Sequence, residues 1–220
     1  RMYSGETYGM TLPLVTKSDG TKFGKTESGT VWLDPAKTSP YAFYQFWLAT
    51  ADADVYKFLR YFTFLPLADI AAIEEEDKAA QGRPQAQSVL AREMTALIHG
   101  EQGLQAAERI TEALFSGSLD QLDESDLEQL KLDGLPSSEL ARDQLGDKTL
   151  TQWLVDAEMA ASGKQVKDAL GRGAVTINGA AISFEENLDA AACFAAERAK
   201  FGRFYVAKLG KKKYHLFQVG

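Results

Sequence analysis

Lys22-Phe23-Gly24-Lys25-Thr26, entered through the turn Ser18-Asp19-Gly20, sets two lysines three residues apart among small residues. That composition suits a chain of phosphates. Lys22 and Lys25 supply mobile ammonium charge, Thr26 a hydroxyl donor, and the bare main chain at Gly20 and Gly24 can approach phosphate oxygens. ATP is the first ligand to consider, with Lys22, Gly24 and Lys25 as its phosphate contacts and Lys22, Lys25 and Thr26 as the catalytic candidates. A solvated surface loop has the same composition. Gly24-Lys25-Thr26 also matches the end of a P-loop, but a P-loop needs four residues between its glycines. Here Gly20 to Gly24 leaves three, and Asp19 stands where the first glycine should fall. The following Glu27-Ser28-Gly29-Thr30-Val31-Trp32-Leu33 is glycine-broken and then β-prone, whereas a P-loop opens into a helix.

The elements that position this loop are predominantly helical. Thr11-Leu12-Pro13-Leu14-Val15-Thr16 reads as a strand entering it. Ser39-Pro40 is a helix start, with a capping residue before a proline at the first helical position, and Asp52-Ala53-Asp54 is a second one. Apolar residues then recur at helical spacing as Val55, Phe58, Leu59 and Phe62, as Ala86, Leu90, Met94 and Leu97, and as Leu104, Ala107, Ile110 and Leu114. These stripes predict a helical bundle. Glu74-Glu75-Glu76-Asp77 reads as a solvated helix end. Between Leu132 and Lys148 periodicity is lost and Asp133-Gly134-Leu135-Pro136-Ser137-Ser138 brings turn residues, so a linker is expected over 133–148. Thr149 with Gln152 forms a capping box, and a second helix is expected near Lys164 to Leu170, stopped by Gly171-Arg172-Gly173. Val175-Thr176-Ile177 then enters an Asn178-Gly179 turn. Phe204-Tyr205-Val206-Ala207 and Tyr214-His215-Leu216-Phe217 read as a hairpin around Gly210-Lys211-Lys212-Lys213.

Composition narrows the function classes. The 220 residues, 45% hydrophobic and 25% charged, can build a core, and no apolar run approaches the roughly 20 residues of a membrane span. The first residues show neither the apolar stretch nor the cleavage site of a signal peptide, so a cytosolic protein is expected. The single cysteine, Cys193, excludes an internal disulfide and reads as a small core residue. Only two histidines accompany it, so no protein-bound metal is expected. His99, before Gly100, is placed in a last helical turn, where a cation suits the dipole, and His215 on a strand surface.

The net charge of -7 is uneven. Residues 1–34 carry four bases and four acids, 35–147 nine and twenty, and 148–220 eleven and seven. From Lys200 to Lys213 there are six bases and no acid, a pattern suited to phosphates. Arg203, Lys208, Lys211, Lys212 and Lys213 are therefore RNA-contact candidates, with lysine protection of an exposed strand edge as the competing role. Asp52 and Asp54 are read first as helix-capping residues.

Tyr8-Gly9-Met10-Thr11-Leu12-Pro13-Leu14-Val15-Thr16-Lys17, the lysine loop, Thr30-Val31-Trp32-Leu33-Asp34-Pro35 and Thr38-Ser39-Pro40-Tyr41 through Phe46-Trp47 closely resemble bacterial tyrosyl-tRNA synthetases. The likeness continues through Phe62-Thr63-Phe64-Leu65, His99-Gly100-Glu101 and Leu114-Phe115-Ser116-Gly117-Ser118 into a C-terminal RNA-binding module. In that resemblance Lys22–Thr26 is the KMSKS signature. The implied fold is α+β and mostly helical: the end of a class I catalytic domain (1–34), a helical anticodon-binding domain (35–132), the linker, and a small α/β module of the ribosomal protein S-four type (149–220). The resemblance sets the helical domain against the anticodon, which gives Asp52 and Asp54 a second role, accepting hydrogen bonds from a guanine edge. Lys164 and Lys167 fit the basic second helix of the C-terminal module and, with Arg172 just after it, are RNA-contact candidates by that resemblance, whereas Gly163 and Asp168 stand where basic residues are expected, which leaves less of the RNA contact to this helix.

The resemblance implies a ligase that joins tyrosine to ATP, accompanied by Mg2+, and passes it to tRNA(Tyr), as a homodimer when whole. It also implies that the catalytic half precedes this segment, so that the segment is a C-terminal fragment, inactive alone and possible as a monomer. A freestanding RNA-binding protein is the alternative from another class, and a tryptophan ligase would share the loop without the C-terminal module.

Overall fold

The computed structural model describes residues 8–11, 14–26, 29–82 and 84–220, with Lys25, Thr26 and Gly29 by their backbone alone. The expected strand over 11–16 falls partly outside these residues. What is described of it makes a single antiparallel bridge, Thr16 to Lys22. Past the loop, β1 (Lys25–Thr26) pairs antiparallel with β2 (Gly29–Thr30), so no helix follows the lysines.

Four helices come next: α1 (Pro40–Leu48), α2 (Asp52–Phe62), α3 (Leu67–Ala79) and α4 (Ala86–Ser116). α1 begins as its sequence dictates. Ser39 Oγ accepts from the Ala42 N–H at 3.0 Å and Pro40 takes the first helical position. Two further donors of this end find distant acceptors, Ser39 N–H on Asp133 Oδ2 at 2.8 Å and Tyr41 N–H on Gln129 Oε1 at 3.2 Å. Phe43, Tyr44, Trp47, Val55, Phe58, Leu59, Ile70, Leu90, Met94 and Leu104 form one buried core. Side chains of this size each contribute about 1.5–3 kcal/mol on full burial.

The stripe on α4 continues at Ile98, partly buried, while Leu97 is 50% exposed. α4 is bent at Gly100, whose φ of 70° and ψ of 178° leave the helix; a side chain there would meet left-handed strain. The acidic run lies in α3 and is only partly solvated. Asp77 accepts from Tyr56 Oη at 2.9 Å and from the Gln85 and Ala86 N–H groups at 2.7 and 3.1 Å, tying the start of α4 to α3.

After α5 (Glu124–Gln129) and a π-helical turn at Leu130–Gly134, the expected linker proves to be structural. Ser137–Leu140 is a strand, β3, paired parallel with the last strand of the chain, and Arg142–Asp147 is a 3-10 turn carrying the buried Leu145. Turn residues in the sequence concealed a short strand whose pairing partner lies some 80 residues away in the register Ser137 to Leu216. Then follow α6 (Leu150–Asp156), α7 (Gly163–Leu170), β4 (Val175–Ile177), β5 (Ala180–Ala181), α8 (Phe184–Leu188), α9 (Ala190–Cys193), β6 (Phe204–Leu209) and β7 (Lys213–Val219). The capping box of Thr149 and Gln152 closes in both directions. Asn178 and Gly179 turn the β4–β5 hairpin with φ of 48° and 85°.

The sheet runs β3-β7-β6-β4-β5. Alternation along a strand sends neighbours to opposite faces. Tyr205, Ala207, Phe217 and Val219 join the core under α6, α7 and α9, while Phe204, Val206 and Leu216 join a second core with Ile110, Ala113, Leu119, Leu122, Leu127 and Leu130. Both faces are covered, which is why β6 begins as an unbroken apolar run. The helical part and the sheet share a core. No helix among the described residues is long and apolar enough to cross a membrane.

Candidate functional site: the lysine loop and the basic hairpin

The lysine loop is fastened to α2 at two points. Phe23, between the two lysines, is withdrawn from solvent into an aromatic box, with ring centroids 4.7 Å from Phe58, 5.1 Å from Phe62, 5.3 Å from Trp47 and 5.7 Å from Phe46. Its own N–H donates to Val15 O at 3.1 Å. Six residues upstream, Lys17 N–H donates to Thr21 O at 2.9 Å, and Asp19 Oδ1 accepts from the Thr21 hydroxyl and N–H at 2.6 and 2.8 Å. Those bonds hold the Asp19 carboxyl below its ordinary range, the hydroxyl contributing most.

Gly20 and Gly24 have φ of 82° and 86°, and a Cβ at either would meet no atom within 4 Å. Backbone conformation therefore favours glycine there, since no neighbouring protein atom crowds either position. Lys22 is exposed and makes no ion pair with a described residue. Anchored neighbours and an exposed ammonium group, unpaired among the described residues, suit this side chain to an anion. Lys25 and Thr26 follow in β1, where their backbone alone is described.

The second fastening corrects the reading of Asp54. Neither aspartate caps α2, whose N-cap is Ala51 without a side-chain cap bond. Asp54 is 2% exposed, and its Oδ2 accepts from Ser18 N–H at 2.9 Å and from Ser18 Oγ at 3.0 Å, while Oδ1 accepts from Lys57 Nζ at 2.8 Å. Burial raises its pKa, but these hydrogen bonds outweigh burial and leave the carboxyl below its ordinary value. A carboxylate so placed cannot receive a base edge. Asp52, by contrast, is exposed, and its Oδ1 is oriented by Gln87 Nε2 at 2.6 Å. Around this junction lies a pocket of about 310 Å³ lined by residues of both parts, among them Lys17, Ser18, Phe23, Phe46 and Asp54.

The basic run of the last domain divides. Arg203 donates to Glu124 at 2.9 Å and Glu128 at 2.6 Å on α5, and Lys200 lies 3.7 Å from Asp120. These two bases join the sheet to the acidic helical part instead of facing solvent freely. Lys213 Nζ donates to Met159 O at 2.9 Å, and Lys208 lies 5.2 Å from the Tyr214 ring centroid. Lys211 and Lys212, exposed at the β6–β7 turn, line a cleft of about 430 Å³ with Tyr41, Leu114, Phe115 and Tyr214. Phe115 is 93% exposed. Charge beside an open aromatic ring is the combination that binds single-stranded nucleic acid, and the sequence signal for it was an apolar residue just before a glycine helix stop. Lys164, Lys167 and Arg172 are exposed on and just after α7.

Both histidines are drawn from solvent. His99 packs edge-on to Phe43 with centroids 4.8 Å apart, and His215 lies 4.5 Å from Phe217 with its Nε2 2.9 Å from Ser138 Oγ. Burial lowers both pKa values, so neither is the helix-end cation or the surface residue that its local sequence suggested. Cys193 is fully buried as expected, its Sγ 3.1 Å from Glu186 O and its pKa pushed up by burial to about 11. Among the described residues no group of three or more His, Cys, Asp or Glu could hold a metal ion.

Two family models cover, in turn, the loop with its helical part and the α/β part. Residues 2–116 match the family described as "tRNA synthetases class I (W and Y)", and residues 126–217 match "Tyrosine--tRNA ligase SYY-like C-terminal domain". The chain belongs to the tyrosyl branch of the class I tRNA synthetases. It is 58% identical over 217 residues to a tyrosine-tRNA ligase of Aliivibrio fischeri, covering 99% of this chain and 49% of that relative. To the enzyme of Escherichia fergusonii it is 53% identical over 216 residues, 98% of this chain and 49% of the relative. The chain thus spans about half the length of the curated relatives it matches. Their ligase names do not favour a freestanding RNA-binding protein.

Proposed function

We propose that this chain forms part of a tyrosine-tRNA ligase, with Lys22–Thr26 as its KMSKS-type loop, residues 35–132 as a helical anticodon-binding domain, and the C-terminal sheet with its helices as an RNA-binding module of the ribosomal protein S-four type. The reading rests on the two-point fastening of a loop with an exposed lysine, which fixes where cationic charge can be presented. In the ligase the tyrosine carboxylate attacks the α-phosphorus of ATP and pyrophosphate departs; a hydroxyl of the terminal ribose of tRNA(Tyr) then attacks the tyrosyl carbonyl of the adenylate, and AMP leaves. Lys22 and Lys25 neutralise charge that grows on the departing pyrophosphate, so they act mostly in the transition state, while Gly24 and Thr26 shape the loop. Mg2+ enters with ATP as part of the substrate. The whole enzyme is read as a cytoplasmic homodimer, and this segment alone as inactive.

Lys25→Ala in the whole enzyme is expected to slow tyrosine-dependent pyrophosphate exchange by on the order of 10² or more with tyrosine affinity nearly unchanged. An unchanged exchange rate removes the role. For the RNA surface, Asp52, Lys164, Lys167, Arg172, Lys208, Lys211, Lys212 and Lys213 remain the contact candidates, with Arg203 contributing through its position beside α5. Affinity for tRNA should fall steeply with salt, and less steeply once Lys211 and Lys212 are alanine. A slope that the double variant leaves untouched sets the cleft outside the interface.

A further inference from the structure

One face of α2 meets both arms of the lysine loop, while α1 adds the Phe46 and Trp47 rings around Phe23. Asp54, Lys57, Phe58 and Phe62 follow one another at helical spacing, so their side chains emerge on the same side. Phe58 and Phe62 take the ring of Phe23, on the far arm of the loop. Asp54 takes Ser18 on the near arm, through both the main-chain and the hydroxyl donor. Lys57 closes the set, because its ammonium group bonds Asp54 Oδ1 and Thr16 O, each at 2.8 Å. The Thr16 to Lys22 bridge lies between these attachments.

We infer that Asp54 is a positioning residue for the phosphate-binding loop. This rests on the ligase reading above and extends it to a group that touches no substrate. A buried carboxylate is stable only while its partners are in place, and here the partners outside its own helix belong to the loop, 36 residues away in sequence. Releasing the loop removes the two Ser18 hydrogen bonds and leaves Lys57 alone to hold this carboxylate, so the docked arrangement is the one that Asp54 favours. The benefit for the reaction is geometric. The lysines reach a departing group from a fixed base, and a displacement of about 1 Å at such a site can cost about 10² in rate.

Asp54→Asn tests this in the whole enzyme. An amide can accept from Ser18 or from Lys57 but presents a donor to the other, so one fastening must break. The kcat of pyrophosphate exchange is expected to fall about tenfold or more, with the KM for tyrosine unchanged. The pair Asp54→Asn with Lys57→Gln restores an uncharged chain of donors and acceptors from Ser18 through residues 54 and 57 to Thr16, and should recover most of the lost kcat. A kcat unaltered in Asp54→Asn overturns the assignment whatever happens to stability. So does a neutral pair that regains stability but not rate. Should Lys25→Ala leave exchange intact, the ligase role of the loop fails separately. The fastening is then judged by hydrogen exchange at the Ser18 amide, which Asp54→Asn must accelerate; an amide still equally protected overturns the anchor itself.

Discussion

Phe23→Ala isolates the apolar fastening of the lysine loop. Removing a fully buried phenylalanine side chain costs about 3–5 kcal/mol, and aromatic pairs add about 0.5–1.5 kcal/mol each. Phe23 is only partly buried although four rings surround it, so about half of the lower side-chain figure, about 1.5 kcal/mol, with about 0.5 kcal/mol for the ring contacts together, gives an expected loss near 2 kcal/mol. The loss falls on the docking equilibrium of residues 15–24, because the other core members sit on α1 to α4 and keep their mutual contacts. About 2 kcal/mol corresponds to roughly 30-fold in the open population. Hydrogen exchange reads it directly: the Lys17 and Phe23 amides, bonded to Thr21 O and Val15 O, should exchange about 30-fold faster while the α4 amides near Leu90 and Leu104 hold their rates. Phe23→Leu should recover part of the protection. Acceleration shared equally by the loop and α4 would mean that the ring serves the global core instead, and less than about threefold at the loop would mean that it fastens nothing.

Two other perturbations probe what holds the rest together. Arg109→Met strips a bidentate partner, at 2.7 Å through both Nε and Nη2, from Asp126, whose side chain is fully buried. Chemical denaturation should show a loss of about 3 kcal/mol, the low end for a broken buried pair since Arg109 keeps 29% of its side chain open, and Asp126→Asn in the same chain should regain part of it; a loss below about 1 kcal/mol refutes the buried-pair account. His99 and His215 have lowered pKa values, so the unfolded chain binds their protons first. Stability should be complete above the ordinary histidine pKa of about 6.5 and fall as pH drops from 7 to 5, by up to about 1.4 kcal/mol per pH unit for each. Urea midpoints across that window should become flat when both are glutamine, and a wild-type midpoint that does not fall contradicts their burial.

Much of this molecule was readable one segment at a time. Ser39-Pro40, Thr149 with Gln152, and Asn178-Gly179 are local chemistries, each settled by atoms within three or four residues, and each forms as its sequence requires. The strand 137–140 was hidden because its signal is a partner strand far along the chain, and four residues of Ser, Ser, Glu and Leu carry little strand preference of their own. The basic run was legible as charge but not as disposition: which bases meet water and which meet α5 depends on how the sheet seats against the helices.

The lysine loop marks the same boundary. Glycine spacing together with the β-prone stretch after Thr26 argued against a P-loop, and local composition singled out Lys22 and Lys25, since these are properties of a short segment. That Asp54 would be a buried anchor rather than a cap, and Phe23 the pin of the loop, was decided only when α2 brought Asp54, Phe58 and Phe62 against residues more than 30 positions earlier. Sequence determines what a side chain can donate, accept or bury. Which of these it does depends on the groups from distant segments that share its space, and burial and charge cannot be assigned until that company is known.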